Sequence, residues 1–97
     1  MMTSKERANL RGLASQLQAG VLIGQNGITE NVLTQINIDL DSHELVKIGL
    51  LQNCDLNAKD IIDELAKVLN AEPVGTVGRK LVLYRYSPKA KKHIQYK

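Results

Sequence analysis

The sequence predicts an α/β sandwich in which three helices cover a four-stranded mixed sheet, in the order α-β-α-β-α-β-β. Three observations carry that reading. Apolar residues recur at helical spacing in three segments. Short runs rich in branched aliphatic residues separate those segments. Thr3, Thr29 and Asn57 stand where helix N-caps belong, and Gly78-Arg79 marks a turn between the last two strands. With 97 residues, a single domain is the default. Residues 1–86 are expected to form it, with 87–97 as a basic, flexible tail.

The first helix is expected over Ser4 to Gln18. Thr3-Ser4-Lys5-Glu6 fits a capping box, with Glu6 reaching back to the cap. Leu10, Leu13, Ala14 and Leu17 make one apolar face, and Arg7 and Arg11, four apart, share a side. Gly20 ends the helix near Ala19. Val21 to Ile23 reads as a short buried strand. The second helix follows Thr29 and runs to about Asp41, with Val32, Leu33, Ile36 and Leu40 inward. Leu45 to Leu51 is the second strand, with Lys47 on its less buried face.

Asn57 caps a third helix over Ala58 to Asn70, and Asp60 in its first turn suits the helix dipole. Ile61, Ile62, Leu65 and Leu69 form its buried stripe. Pro73 fits an edge or a strand start. Val74 to Val77 and Lys80 to Tyr86 then pair as a hairpin, with Leu81 and Leu83 on one side and Val82 and Tyr84 on the other. Pro88 releases the chain into a segment too polar to fold alone.

Composition narrows the function classes. A chain this long buries roughly 60–65% of its unfolded surface. The core must be aliphatic, because there is no Phe or Trp and only three Tyr. Cys54 is the single cysteine, which fits a reducing compartment. No stretch is apolar enough for a signal peptide or a membrane span. A soluble, cytoplasmic protein is expected. Charge is unevenly placed. Residues 79–97 hold seven basic residues and no acidic one, whereas residues 1–78 hold six basic residues against all ten acids. Such asymmetry suggests a polyanionic partner, or else a solubilising tail.

The stretch Val21 to Thr29 combines a strand, a Gly-x-x-Gly loop at Gly24 to Gly27 and a helix start. Glycines let another backbone approach closely. The first N–H groups of a helix lack intrahelical partners and suit a phosphate. The same pattern also serves turn geometry alone.

Four motifs in order then resemble the CRM domain (chloroplast RNA splicing and ribosome maturation) in its small, stand-alone bacterial YhbY-like form. They are Leu-Arg-Gly-Leu-Ala at Leu10 to Ala14, Ile-Gly-Gln-Asn-Gly-Ile-Thr-Glu at Ile23 to Glu30, His-Glu-Leu-Val-Lys at His43 to Lys47, and Gly-Arg-Lys-Leu-Val-Leu-Tyr-Arg at Gly78 to Arg85. The resemblance covers Ser4 to Arg85. It implies a fold like the C-terminal domain of translation initiation factor 3 and a KH-like loop that contacts RNA. It also implies association with precursors of the large ribosomal subunit. Two positions depart from the family pattern. Gln25 stands where the family usually has Lys directly after the first glycine, which removes a cation from the loop but leaves its backbone donors. Ala19-Gly20 stands where relatives commonly carry Pro.

The expected function is therefore non-catalytic RNA binding, with rRNA of the large-subunit precursor as partner. Candidate contact residues are Gly24, Gln25, Asn26, Gly27 and Thr29 at the loop, with Arg7, Arg11, Arg79, Lys80, Arg85, Lys89, Lys91 and Lys92 around it. Helix one, the loop and the Arg79 to Arg85 hairpin are expected to make one basic face. Tyr86 and Tyr96 are candidate base-stacking residues. Two alternatives compete. An enzyme on a phosphorylated small molecule would need a base, nucleophile or metal set, and no Gly-Lys-Ser/Thr follows the loop. No catalytic residue, cofactor, metal or small-molecule substrate is therefore expected. A protein-interaction domain, docking its basic tail on an acidic or ribosomal partner, is the other. The sequence assigns no oligomeric state.

Overall fold

A computed structural model of the chain describes residues 2–96. Met1 and Lys97, the latter counted above with the basic tail, lie outside the described residues. The elements are α1 (Ser4–Ala14), β1 (Val21–Ile23), α2 (Glu30–His43), β2 (Leu45–Leu50), α3 (Ala58–Leu69), β3 (Glu72–Val77) and β4 (Lys80–Tyr84). Number, type and order match the expectation. The sheet runs β1-β2-β4-β3, with β1–β2 parallel and the other two pairs antiparallel.

Local chemistry sets the helix starts. Thr3 accepts from the Glu6 N–H at 3.1 Å, and Glu6 accepts from the Thr3 N–H at 3.0 Å, completing the capping box. Thr29 and Asn57 cap α2 and α3 through their side chains. The helix ends are less local. The first helix stops at Ala14, earlier than its apolar spacing suggests, and the Lys47 ammonium donates to the carbonyls of Ala14 (3.2 Å) and Leu17 (3.1 Å). A cation from the sheet thus sits on carbonyls at and just beyond the helix end, where positive charge is favoured. Leu13 and Leu17, expected on the inner face, are 41% and 43% exposed.

The sheet separates two cores. Ile23, Ile48, Leu81 and Leu83 meet Ile36, Leu40, Ile61 and Leu65 under α2 and α3. Leu10 and Ala14 of α1 meet Leu45, Val74, Val82 and Tyr84 on the other face. The alternation along β4 is the expected one. In β3, Pro73 pairs with Leu83 and Gly75 with Val82, so Val74 is the extra residue of a bulge. The bulge leaves Val74 in the α1-side core, and Pro73 lies on an edge strand, where it is tolerated.

The chain after Pro88 departs from the expectation of a free tail. Glu44, in the left-handed region at φ 67°, follows α2 and has a fully buried side chain. Its carboxylate accepts from the backbone N–H groups of Ser87 and Ile94, each at 2.8 Å, and pairs with His93 Nδ1 at 2.8 Å. Ser87 Oγ donates to the Asp41 carbonyl at 2.7 Å. Ala90 is buried, Ile94 and Tyr96 pack on the α1-side core, and Tyr96 meets Tyr84 edge-on at 4.9 Å. A buried carboxylate must find donors. Residues 87–94 supply them, so the segment packs on the body.

Burial pushes the Glu44 carboxyl up, but the bonds from Ser87, His93 and Ile94 outweigh burial and hold it below its ordinary value. A carboxyl lowered in the folded state adds stability that is present above the unfolded pKa and lost as pH falls through the folded one. The Ser87 and Ile94 amide resonances should lose their hydrogen-bonded positions only as the pH falls below the ordinary carboxyl value of 4.5. In Glu44→Ala they should be displaced already at neutral pH. Amide shifts of Ser87 and Ile94 that match wild type in that variant would contradict the role given to Glu44 in holding residues 87–94.

Candidate nucleic-acid interface

Parallel pairing of β1 and β2 brings the C-terminal ends of both strands to one end of the sheet. The loops before α2 and α3 emerge there, and both helices begin there. In the first loop the Gly27 N–H donates to the Gly24 carbonyl at 3.0 Å, closing a four-residue turn whose tip is the exposed pair Gln25-Asn26. Gly27 has φ 68°, whereas Gln25 and Asn26 keep negative φ. Gly27 is therefore required by backbone conformation. Gly24 is not, since a Cβ there would meet Leu51 and Asn53 at 3.6 and 3.7 Å, an ordinary contact. What Gly24 provides is uncovered backbone beside the loop. Thr29 Oγ1 accepts from the Val32 N–H at 3.2 Å and so caps α2, which leaves its O–H as a donor, and the N–H groups just inside α2 have no intrahelical acceptor.

Arg79 comes to the same end from the β3–β4 turn. Its Nε donates to the Leu50 carbonyl at 3.2 Å, and Nη2 donates to the carbonyls of Cys54 (2.8 Å) and Leu51. It therefore fixes the loop that borders Gly24 and places a cation there. Lys80 is exposed beside it, and Lys59 is exposed at the start of α3.

The remaining candidates lie elsewhere. Arg7 and Arg11 project from α1 over the edge strand β3. There Arg11 Nη1 donates to the Val74 carbonyl at 3.3 Å, and Gly75 makes room for the Arg11 stem, because a Cβ would come within 2.9 Å of Arg11 Cδ. Arg7 Nε is buried and has no hydrogen-bond partner among the described residues. Both arginines and Lys59 line a groove of about 360 Å³, which also takes in Asp63. Arg85 is at the opposite end, between the C-terminal ends of α2 and α3. It donates to Asn37 Oδ1 (2.9 Å), the Leu69 carbonyl (2.7 Å), Asp41 Oδ1 (3.0 Å) and the Asn37 carbonyl (3.3 Å). Cations suit helix C-termini, and Arg85 joins two of them. The hairpin thus presents Arg79 and Arg85 at opposite ends, not on one basic face. Lys89, Lys91 and Lys92 also lie at the far end, around a groove of about 820 Å³ that includes Lys47.

The candidate stacking tyrosines are also partnered. Tyr96 packs on Tyr84, and Tyr86 stacks on His93 with ring centres 4.9 Å apart. Burial, with the Glu44 charge nearby, pushes the Tyr84 hydroxyl up to about 12, in keeping with a core position. Among the described residues no group of three or more His, Cys, Asp or Glu is gathered so as to hold a metal ion. No described helix is long and apolar enough to cross a membrane.

Residues 2–85, which include both loops and both hairpin strands, match the family model of the CRS1 / YhbY (CRM) domain. The chain belongs to the CRM family. It is 34% identical over 91 residues to "Probable RNA-binding protein YqeI" of Bacillus subtilis, covering 94% of this chain and 95% of that protein. It is 40% identical over 91 residues to an "RNA-binding protein" of Haemophilus influenzae, covering 93% and 91%. The solution structure of the hypothetical protein SAV1595 from Staphylococcus aureus superposes with a TM-score of 0.83 at 34% identity, over 100% of both chains. This CRM chain therefore shares fold and length with relatives whose names point to RNA.

Two substitutions separate conformation from contact. Gly27→Ala should lower unfolding free energy by about 1–2 kcal/mol through its left-handed φ, and Gly24→Ala by no more than about 0.5 kcal/mol, both read from urea unfolding. Arg85→Ala should cost about 1–3 kcal/mol by stranding its acceptors. Equal losses at the two glycines, or a silent Arg85→Ala, would contradict these roles.

Proposed function

We propose that this CRM protein is a non-catalytic RNA-binding protein of the cytoplasm that engages rRNA in precursors of the large ribosomal subunit. The single observation that carries the reading is the Gly24–Gly27 turn, held open by Gly27 at the start of α2 and bordered by the Arg79-pinned loop. Family membership, and RNA-binding names among the relatives, support RNA as the polyanion.

The chemistry is that of backbone recognition. Amide donors at the turn and the helix start can meet phosphate oxygens without reading a base, while Arg79 and Lys80 add charge. Arg7 and Arg11 extend the contact along α1. Gln25, in place of a lysine, lowers the charge at the tip and leaves the amide donors as the main loop contact. Glu30 in the first helical turn opposes phosphate locally, so the approach is expected over Gln25 and Asn26 and not along the exposed side of α2.

The test is fluorescence anisotropy with a large-subunit rRNA fragment at several salt concentrations. With about four to six phosphates neutralised, log affinity should fall against log salt with a slope of roughly −3 to −5. Gly27→Asp, whose residue tolerates left-handed φ, should weaken binding by placing an anion in the loop. No binding at low salt to structured rRNA would overturn the reading. Ribosome association that survives nuclease treatment would instead favour a protein-docking role.

A further inference from the structure

The segment after Pro88 forms a built loop. A single buried carboxylate takes the N–H of Ser87 on one oxygen and the N–H of Ile94 on the other, so Glu44 closes the intervening residues into a loop. The Ser87 hydroxyl adds two further ties, donating to the Asp41 carbonyl and accepting from the Lys89 N–H at 3.2 Å. Buried Ala90 anchors the middle. Lys89, Lys91 and Lys92 are left exposed around it, on a groove of about 820 Å³ shared with Lys47 and Leu17. Among the described residues that line the groove, Asp39 is the one carboxylate beside four lysines, which favours an anion.

The same carboxylate fixes an aromatic pair that adjoins the lysines along the chain. His93, directly after Lys92, pairs with Glu44 and stacks on Tyr86, with ring planes 16° apart. Tyr86 is nonetheless 60% exposed. Ordered lysines next to an exposed, braced aromatic ring are the combination that holds single-stranded nucleic acid, with cations on the backbone and a ring under a base. A duplex hides its base faces and would use only the lysines.

We infer that the clipped loop of residues 87–94 is a second RNA-contacting element, one that takes a single-stranded segment with its phosphates on Lys89, Lys91 and Lys92 and a base on Tyr86. This rests on the RNA-binding reading above but concerns a different part of the molecule. The strand β2 separates the loop from the Gly24–Gly27 turn by its six residues, about 20 Å at the usual rise. A structured RNA at one end and a flanking single strand at the other can therefore be held together.

The role of Glu44 gives the inference a sign that net charge alone would not. Replacing a carboxylate in an RNA binder should, by charge alone, tighten binding. Here Glu44 orders the lysines and braces His93 under Tyr86, so Glu44→Gln should weaken it.

The test is anisotropy of a labelled oligouridylate on the full chain, against a large-subunit rRNA hairpin as reference. For the triple variant Lys89→Ala, Lys91→Ala, Lys92→Ala, the salt slope for oligouridylate should shrink by about two, taking roughly 0.7 per single-strand phosphate and three contacts. Tyr86→Ala and Glu44→Gln should each weaken oligouridylate roughly tenfold, the scale of one stacked base or of ordering a few long side chains. Gly27→Asp should leave oligouridylate within about twofold and weaken the hairpin, since the turn lies at the other end. The lysine and tyrosine positions are exposed, so those variants fold even if Glu44→Gln does not. Wild-type binding to the hairpin, with oligouridylate untouched by the lysine and tyrosine changes, would overturn the inference and leave the RNA-binding reading in place. Failure of the wild type to bind either RNA would overturn both.

Discussion

The parallel pairing of β1 with β2 is the constraint on which the rest of this molecule depends. Parallel strands cannot be joined by a tight turn and need a crossover, and α2 is that crossover. Because Val21, Leu22 and Ile23 lie level with Ile48, Gly49 and Leu50, the two strands finish together. Their following loops must then leave side by side, and α2 and α3 must begin there. The opposite end receives the C-terminal ends of the same helices. One pairing thus gives the molecule an end rich in backbone donors and an end rich in backbone carbonyls.

Charged side chains follow that polarity. At the carbonyl-rich end, Arg85 ties the ends of α2 and α3 together, while on the α1 face Lys47 takes the carbonyls of Ala14, where α1 stops, and of Leu17 beyond it. These cations act within the fold. At the donor-rich end, Arg79 also binds carbonyls, but those of the loop beside Gly24, so its charge stays near the surface where a phosphate would sit. A count of basic residues would rank the three alike. Their acceptors separate a helix joint, a helix stop and a loop brace.

Most of the fold was legible because most of it is local. Thr3 with Glu6, Thr29 and Asn57 announce helices through bonds spanning three residues or fewer. The alternation along Leu81 to Tyr84 announces two cores. What was not legible depends on partners far along the chain. Leu17 continues the apolar spacing of α1, yet the helix stops before it beside Lys47, thirty residues on. Arg85 looks like a strand-end charge until Asn37 and Asp41 are brought to it. The segment after Pro88 reads as solvated because its lysines dominate its composition. Its signal was the set Ala90, Ile94 and Tyr96, apolar residues that a free tail has no reason to hold, and the missing partner was a buried Glu44 that no spacing rule would nominate. For the candidate site, the Gly24–Gly27 loop was legible as a motif. The brace that Arg79 gives it was not, because its acceptors are backbone carbonyls.

The central claim, that the donor-rich end receives RNA backbone, is tested most directly residue by residue. Amide chemical shifts of the isotope-labelled protein, followed while a large-subunit rRNA fragment is added, would locate the contact. The largest changes are expected at Gln25, Asn26, Gly27 and the first residues of α2, with changes also around Arg79 and Lys80. Changes confined to the exposed face of α3, with the Gly24–Gly27 turn unmoved, would contradict the claim.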